Sequence, residues 1–177
     1  MTKTAKIYGD SLYDLAAEEK LTEEILPQME QVAVLFKENP DYLTLLSEPS
    51  VAKAERLSLI DEAFGEQVHP YLLNFFKILC SEGIVRSFSG CSREFRRRYN
   101  EDHNIAEALI VTAVALKEEQ REALKARLEK ISGKTVIMKE KQEPQVLGGI
   151  RVELEGIALD GTLENRLDNL RKQITEN

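Results

Sequence analysis

Apolar residues recur at helical spacing through the first 104 positions. Tyr8, Leu12, Leu15 and Ala16 share one stripe, with Lys6, Asp10, Asp14 and Glu18 on other faces. A second helix is predicted to open at Thr22, with Glu23 and Glu24 at its positive end and Leu21 and Leu26 as a hydrophobic staple. Pro27 blurs that start because it has no N–H to donate to the preceding turn. The stripe continues through Ile25, Met29, Val32, Leu35 and Phe36. Asn39-Pro40 predicts a short helix with Tyr42, Leu45 and Leu46, ended by Pro49. Ser50 is expected to cap the next, which carries Ala54, Leu57, Ile60 and Phe64 and stops at Gly65. Pro70 opens a strongly apolar helix running through Leu72, Leu73, Phe75, Phe76, Ile78 and Leu79 until Gly83 breaks it. A last helix holds Ile84, Phe88, Phe95 and Tyr99, with the weak formers Ser87, Ser89 and Gly90 inside it. About six helices on short loops predict a compact bundle.

The period changes after Asn104. Ala108 to Ala115 is a continuous apolar run that predicts a buried strand. Lys117 to Ile131 reads as a helix with Leu124, Leu128 and Ile131 on one side, closed by Ser132-Gly133. Val136 to Met138 predicts a second strand. Ile150, Val152 and Leu154 alternate with Arg151, Glu153 and Glu155, the period of a half-buried strand. Gly156 turns the chain, Ile157 and Leu159 return, and Thr162 is expected to cap a closing helix with Leu163, Leu167, Leu170 and Ile174. The fold class predicted is α+β: a six-helix N-terminal bundle over residues 1–104 and a small α+β domain over 105–177.

Charge supports a division. Residues 1–104 hold 12 Lys/Arg against 18 Asp/Glu, and residues 105–177 hold 12 against 13. The net charge of −7 argues against nucleic acid as a general partner, since phosphate binding needs a basic face. Aromatics are only 6%, without Trp, so aliphatic cores are expected. No apolar run reaches the roughly 20 residues of a spanning helix, and the N-terminus lacks a signal-peptide pattern, so a reducing cytosolic setting is the default expectation. Cys80 and Cys91 form no CxxC, and His69 and His103 are far apart, so neither a metal site nor a His-dependent triad has support.

Four features invite a chemical reading. Gly148-Gly149 lacks the further glycines, the following helix and the Lys of a phosphate cradle, so a turn or bulge feeding a strand is favoured. Asp160-Gly161-Thr162 reads as a turn into an N-cap, with no second carboxylate or His beside Asp160 to tune it as an acid or base. Arg96-Arg97-Arg98 with Arg93 is the one dense basic cluster. An acidic partner or phosphate is one reading, and the favoured one is a solvated helix face balanced by Glu94, Glu101 and Asp102. The helix from Pro70 to Cys80 is apolar on nearly all sides, so it is either buried all round or lines an exposed groove. Cys80 reads as a small buried hydrophobe; Cys91, near Arg93, carries a weak signal of reactivity.

Taken together the chain resembles the delta subunit of the bacterial F-type ATP synthase, a family related to the mitochondrial oligomycin-sensitivity-conferring subunit. The N-terminal carriers are Ala5-Lys6-Ile7-Tyr8-Gly9-Asp10-Ser11-Leu12 with Leu15-Ala16, where Gly9 stands in place of the commoner Ala. Phe75-Phe76-Lys77-Ile78-Leu79 with Gly83 and Arg86 is similar to the family's leucine-rich helix and Gly-Arg junction. Leu109-Ile110-Val111-Thr112-Ala113, Glu143-Pro144-Gln145-Val146-Leu147-Gly148-Gly149-Ile150 and Asp160-Gly161-Thr162-Leu163 with Arg166-Leu167 resemble the family's C-terminal signature.

The resemblance implies a non-catalytic stator subunit of the proton-transporting enzyme, without cofactor or metal. It implies a helical domain that binds N-terminal segments of the alpha subunits on the catalytic head, and a C-terminal domain that grips the ends of the b subunits. It further implies a monomer within the complex, peripheral at the cytoplasmic face of the bacterial membrane, with no nucleic acid and no membrane insertion. Broad apolar coverage together with the resemblance makes Tyr8, Leu12 and Leu15 of the first helix and Leu72, Phe75, Phe76 and Leu79 of the fifth the candidate alpha-binding groove. Leu163, Leu167 and Leu170 are the candidates for the b subunit. The competing functions are a helical adaptor for another protein and a small-molecule binder built on Gly148-Gly149 and Asp160.

Overall fold

The computed structural model describes residues 2–143 and 149–160. The chain divides into two compact units, one up to Tyr99 and one from Asn100. The architecture is a helical bundle followed by a small mixed α/β region with a four-stranded sheet.

Six α-helices and one 3₁₀ turn build the first unit: α1 Lys3–Glu18, α2 Thr22–Glu38, α3 Pro40–Ser47, α4 Lys53–Phe64, α5 Pro70–Ser81, the turn Val85–Ser87, and α6 Phe88–Asp102, whose last residues belong to the second unit. Pro27 sits inside α2, five residues past its first, and the helix continues through it. Pro40 and Pro70 each open a helix, where the missing N–H costs nothing. Ahead of Pro70, His69 turns a ring nitrogen to the Tyr71 N–H (3.2 Å), while its own N–H donates to Gln28 of α2 (2.7 Å). Ser50 is not the cap expected of it. Ala52 occupies that position without a side-chain bond, and Ser50 instead donates its hydroxyl to Glu48 (3.1 Å). Gly83 breaks α5 in the left-handed region, and of the weak formers Ser87 falls in the 3₁₀ turn while Ser89 and Gly90 stay helical, so the last helix begins at Phe88.

The core of this unit overturns the expectation of aliphatic packing. Phe36, Phe64, Phe75, Phe76, Phe88 and Phe95 are all buried there, with centroid separations down to 4.8 Å between Phe76 and Phe88. Every Phe and Tyr of the chain lies at or before Tyr99, so an average over 177 residues hid a local concentration. Edge-to-face pairs such as Phe36–Phe88 (5.4 Å) and Tyr13–Phe95 (5.1 Å) add about 0.5–1.5 kcal/mol each beyond their area burial.

In the second unit β1 Ile105–Thr112, α7 Glu118–Ser132, β2 Thr135–Gln142, β3 Ile150–Leu154 and β4 Ile157–Asp160 form a sheet of order β2-β1-β3-β4. β1 and β2 are parallel through α7; β3 and β4 run antiparallel to their neighbours. β1 starts three residues earlier than expected. Glu107 interrupts the apolar run yet fits the strand, because Ala106, Ala108 and Ile110 face the core under Leu128 while Glu107 takes the Lys139 ammonium at 2.7 Å. Gly133 ends α7 in the left-handed region, and Glu155-Gly156, both at positive φ, make the tight β3–β4 turn. Gly149 (φ 92°) leads directly into β3 rather than into a helix, which removes the geometry of a phosphate cradle.

Candidate functional site

α5 owes its all-round apolarity to two stripes on one helix. Leu72, Phe76 and Leu79 point into the core and are fully buried. Tyr71, Asn74, Phe75 and Ile78, at spacings of i, i+3, i+4 and i+7, form the outer stripe. α1 is built the same way: Ala5, Gly9, Leu12, Tyr13 and Ala16 face inward, and Ile7, Tyr8, Ser11 and Leu15 lie beside them. The outer stripes meet in a groove of about 470 Å³, lined by Ile7, Tyr8, Ser11, Leu12 and Leu15 on one wall and by the outer stripe of α5 on the other.

Of the expected groove residues, Tyr8, Leu12, Leu15 and Phe75 line it. Leu72, Phe76 and Leu79 do not; their side chains are core, because a helix in a bundle must give its most continuous apolar stripe to its neighbours. Ile7, Ser11, Tyr71, Asn74 and Ile78 were missed. Splitting each helix into two stripes of period 3.6 would have found them, since Ile7 and Ile78 are off the core stripe and are 53% and 51% exposed. The Ser11 hydroxyl is spent on the Ile7 carbonyl (2.9 Å), so this wall offers mainly apolar contact. Two apolar stripes with few polar atoms between them suit a partner helix that inserts one face.

α1 is held to the bundle by α6, and the basic cluster does the holding. Arg98 reaches Asp10 (3.3 Å) and Asp14 (3.0 Å) and stacks over Tyr13, 5.1 Å from the ring centroid. Arg97 holds Glu94 through Nε (2.8 Å) and a terminal nitrogen (2.5 Å). Glu94 is wholly buried, its second oxygen without a hydrogen-bond partner, and its Cβ lies against Gly9. Arg96 binds Glu30 of α2 (2.5 Å). The solvated face expected for Arg96–Arg98 is therefore a set of ties between helices; Arg93 alone stays exposed without a partner among the described residues. The Arg98 guanidinium is held protonated: burial opposes its charge, and Asp14 and Asp10 outweigh that.

Cys80 and Cys91 are buried, and desolvation pushes the Cys91 thiol up to about 11. Desolvation also raises Cys80 against the pull of Arg56, whose guanidinium donates to the Leu46 and Cys80 carbonyls at the ends of α3 and α5. Among the described residues no group of three His, Cys, Asp or Glu is placed to hold a metal, and no helix is long and apolar enough to cross a membrane. Gly148, Leu163, Leu167 and Leu170 lie outside the described residues, and Asp160 closes β4.

The described residues thus define a helical bundle with an apolar groove between α1 and α5, followed by a small α/β unit. The family model for the ATP synthase delta (OSCP) subunit matches residues 4–174. Curated relatives are delta subunits: one from Clostridium kluyveri is 27% identical over 93% of this chain and 91% of its own length, and one from Clostridioides difficile is 24% identical over 97% and 96%. The fold also matches a chain in the cryo-EM structure of the Toxoplasma gondii mitochondrial ATP synthase hexamer, with a TM-score of 0.78, 15% identity and 98% coverage of both chains. The chain belongs to the ATP synthase delta (OSCP) family, whose members are non-catalytic subunits of the peripheral stalk.

Proposed function

We propose that this protein is the stator clamp that ties the catalytic head to the b subunits, so that proton-driven rotation is spent on ATP synthesis and not on spinning the head. The observation that carries the reading is the α1/α5 groove. It is apolar, bounded by two helical stripes, and preformed by the ties between α1 and α6. Its occupant is an N-terminal helical segment of an alpha subunit, held by i, i+3, i+4, i+7 anchors. The second unit grips the b-subunit ends, with Leu163, Leu167 and Leu170 as its candidates. One copy sits on each head, peripheral at the cytoplasmic face of the membrane.

A clamp under torque needs slow release, hence an affinity near nanomolar, about −12 kcal/mol for the assembled site. A preformed groove helps because little ordering entropy is lost on binding.

The test is calorimetry with a peptide spanning the alpha subunit's N-terminal helical segment. Ile78→Asp is expected to weaken binding by about tenfold or more (~1.4 kcal/mol) with the unfolding midpoint unchanged, since the side chain is half exposed. Leu72→Ala is expected to cost about 2–5 kcal/mol of stability while leaving the binding of the folded fraction intact. Full binding by Ile78→Asp would remove the groove from the account.

A further inference from the structure

We infer that the first unit carries a second docking site, a trough between α2 and α6 that takes an acidic amphipathic helix from a partner chain. On α2, Pro27, Glu30, Gln31 and Val34 follow the i, i+3, i+4, i+7 pattern, with Leu35 and Lys37 beside them. On α6, Ser89, Ser92, Arg93 and Arg96 repeat the same spacing. The two stripes bound an open trough of roughly 1170 Å³ that runs along both helices. No lining residue is shared with the α1/α5 groove.

Two observations set the occupant. Val34 and Leu35 are 53% and 41% exposed, an apolar strip with nothing over it among the described residues. Beside the strip lie Arg93 and Lys37, both exposed and both without an anionic partner among the described residues. Arg96 is there too, facing Glu30, the only carboxylate in the lining. The unit as a whole is acidic, yet this trough carries three cations against one anion. A helix with an apolar stripe for Val34 and Leu35 and Glu or Asp on its flanks satisfies both features; a basic helix meets Arg93 and Lys37 as like charges. The small side chains of Ser89, Ser92 and Ala33 let such a helix approach closely.

The test uses the full chain carrying Ile78→Asp, so that the first groove competes less for the probe. The probes are three labelled peptides: a helix with a Leu/Val stripe and Glu flanks, the same stripe with Lys flanks, and the Glu peptide with its stripe scrambled. Saturable anisotropy change is expected with the first alone, and methyl shifts are expected at Val34 and Leu35. Arg93→Glu is expected to raise its Kd about fivefold, and Val34→Asp to abolish binding. Lys37→Glu serves as a second reversal should either variant lower the unfolding midpoint. Absence of saturable binding overturns the site. Equal binding of the Lys-flanked or scrambled peptide does so too, as do shifts confined to α1 and α5. The Ile78→Asp background weakens the alpha-segment groove, and the position of the methyl shifts, on α2 or on α1 and α5, separates the failure of this site from the failure of that one.

Discussion

Single residues in the first unit are governed by how much solvent their polar atoms keep. The Tyr42 hydroxyl donates to the Leu59 carbonyl (2.9 Å), and desolvation, with smaller contributions from Cys80 and Glu62, raises it to about 12 from an ordinary 10.0. Cys91 rises to about 11 from 9.0 through burial, opposed by a backbone hydrogen bond. Both groups are neutral when protonated, so the folded state holds these protons more tightly than the unfolded chain. Their contribution to stability is complete below about pH 9 and is lost as pH rises through about 11 for Cys91 and about 12 for Tyr42. Urea midpoints between pH 8 and 11 are expected to fall, with a shallower slope in Cys91→Ala; a flat profile would show that neither proton is coupled to folding. Glu94 illustrates what single-residue reading misses. In sequence it looks like a charge balancing three arginines on a solvated face, whereas it is fully buried under Arg97, because the face of α6 that carries it is the one packed on α1.

At the scale of elements, the helices were legible because each apolar stripe keeps the 3.6-residue period, and the second unit because its period shifts toward two. Facing was harder. The resemblance and the stripes led to α1 and α5, but Leu72, Phe76 and Leu79 are core and Ile7, Tyr71 and Ile78 line the groove, a distinction of one step around a helix that periodicity does not resolve when both stripes are apolar. The aromatic core was invisible to composition because the second unit contributes no Phe or Tyr. Close approach of α1 and α6 is signalled only by Gly9, which stands in place of the commoner Ala, and by Gly90, which reads as a weak helix former. A Cβ on Gly90 would lie 2.7 Å from the Ala5 Cβ, and one on Gly9 would lie 2.8 Å from the Cys91 carbonyl oxygen. Gly90→Ala therefore meets two opposed effects, a gain of up to about 1 kcal/mol in helix propensity and an overpacking cost of about 1–3 kcal/mol. The second is expected to win, so denaturant titration should show a less stable protein. A more stable Gly90→Ala variant would mean that the two helices are not in contact there.

For the whole molecule, two units with separate cores are what the proposed division of labour requires. The first presents an apolar groove between α1 and α5, the surface proposed above for an alpha segment, and the second belongs to a chain whose family serves the peripheral stalk. Nothing in the account asks either unit to make or break a bond; it asks both to hold at once. The direct measurement is native mass spectrometry of purified catalytic head stripped of this subunit, soluble b subunits, and the intact chain. One copy of the chain is expected to join head and b subunits in a single complex, absent when the chain is omitted and formed only at about tenfold or higher concentration with Ile78→Asp. Head and b subunits that assemble equally well without the chain, or a chain that binds neither, would contradict the clamp.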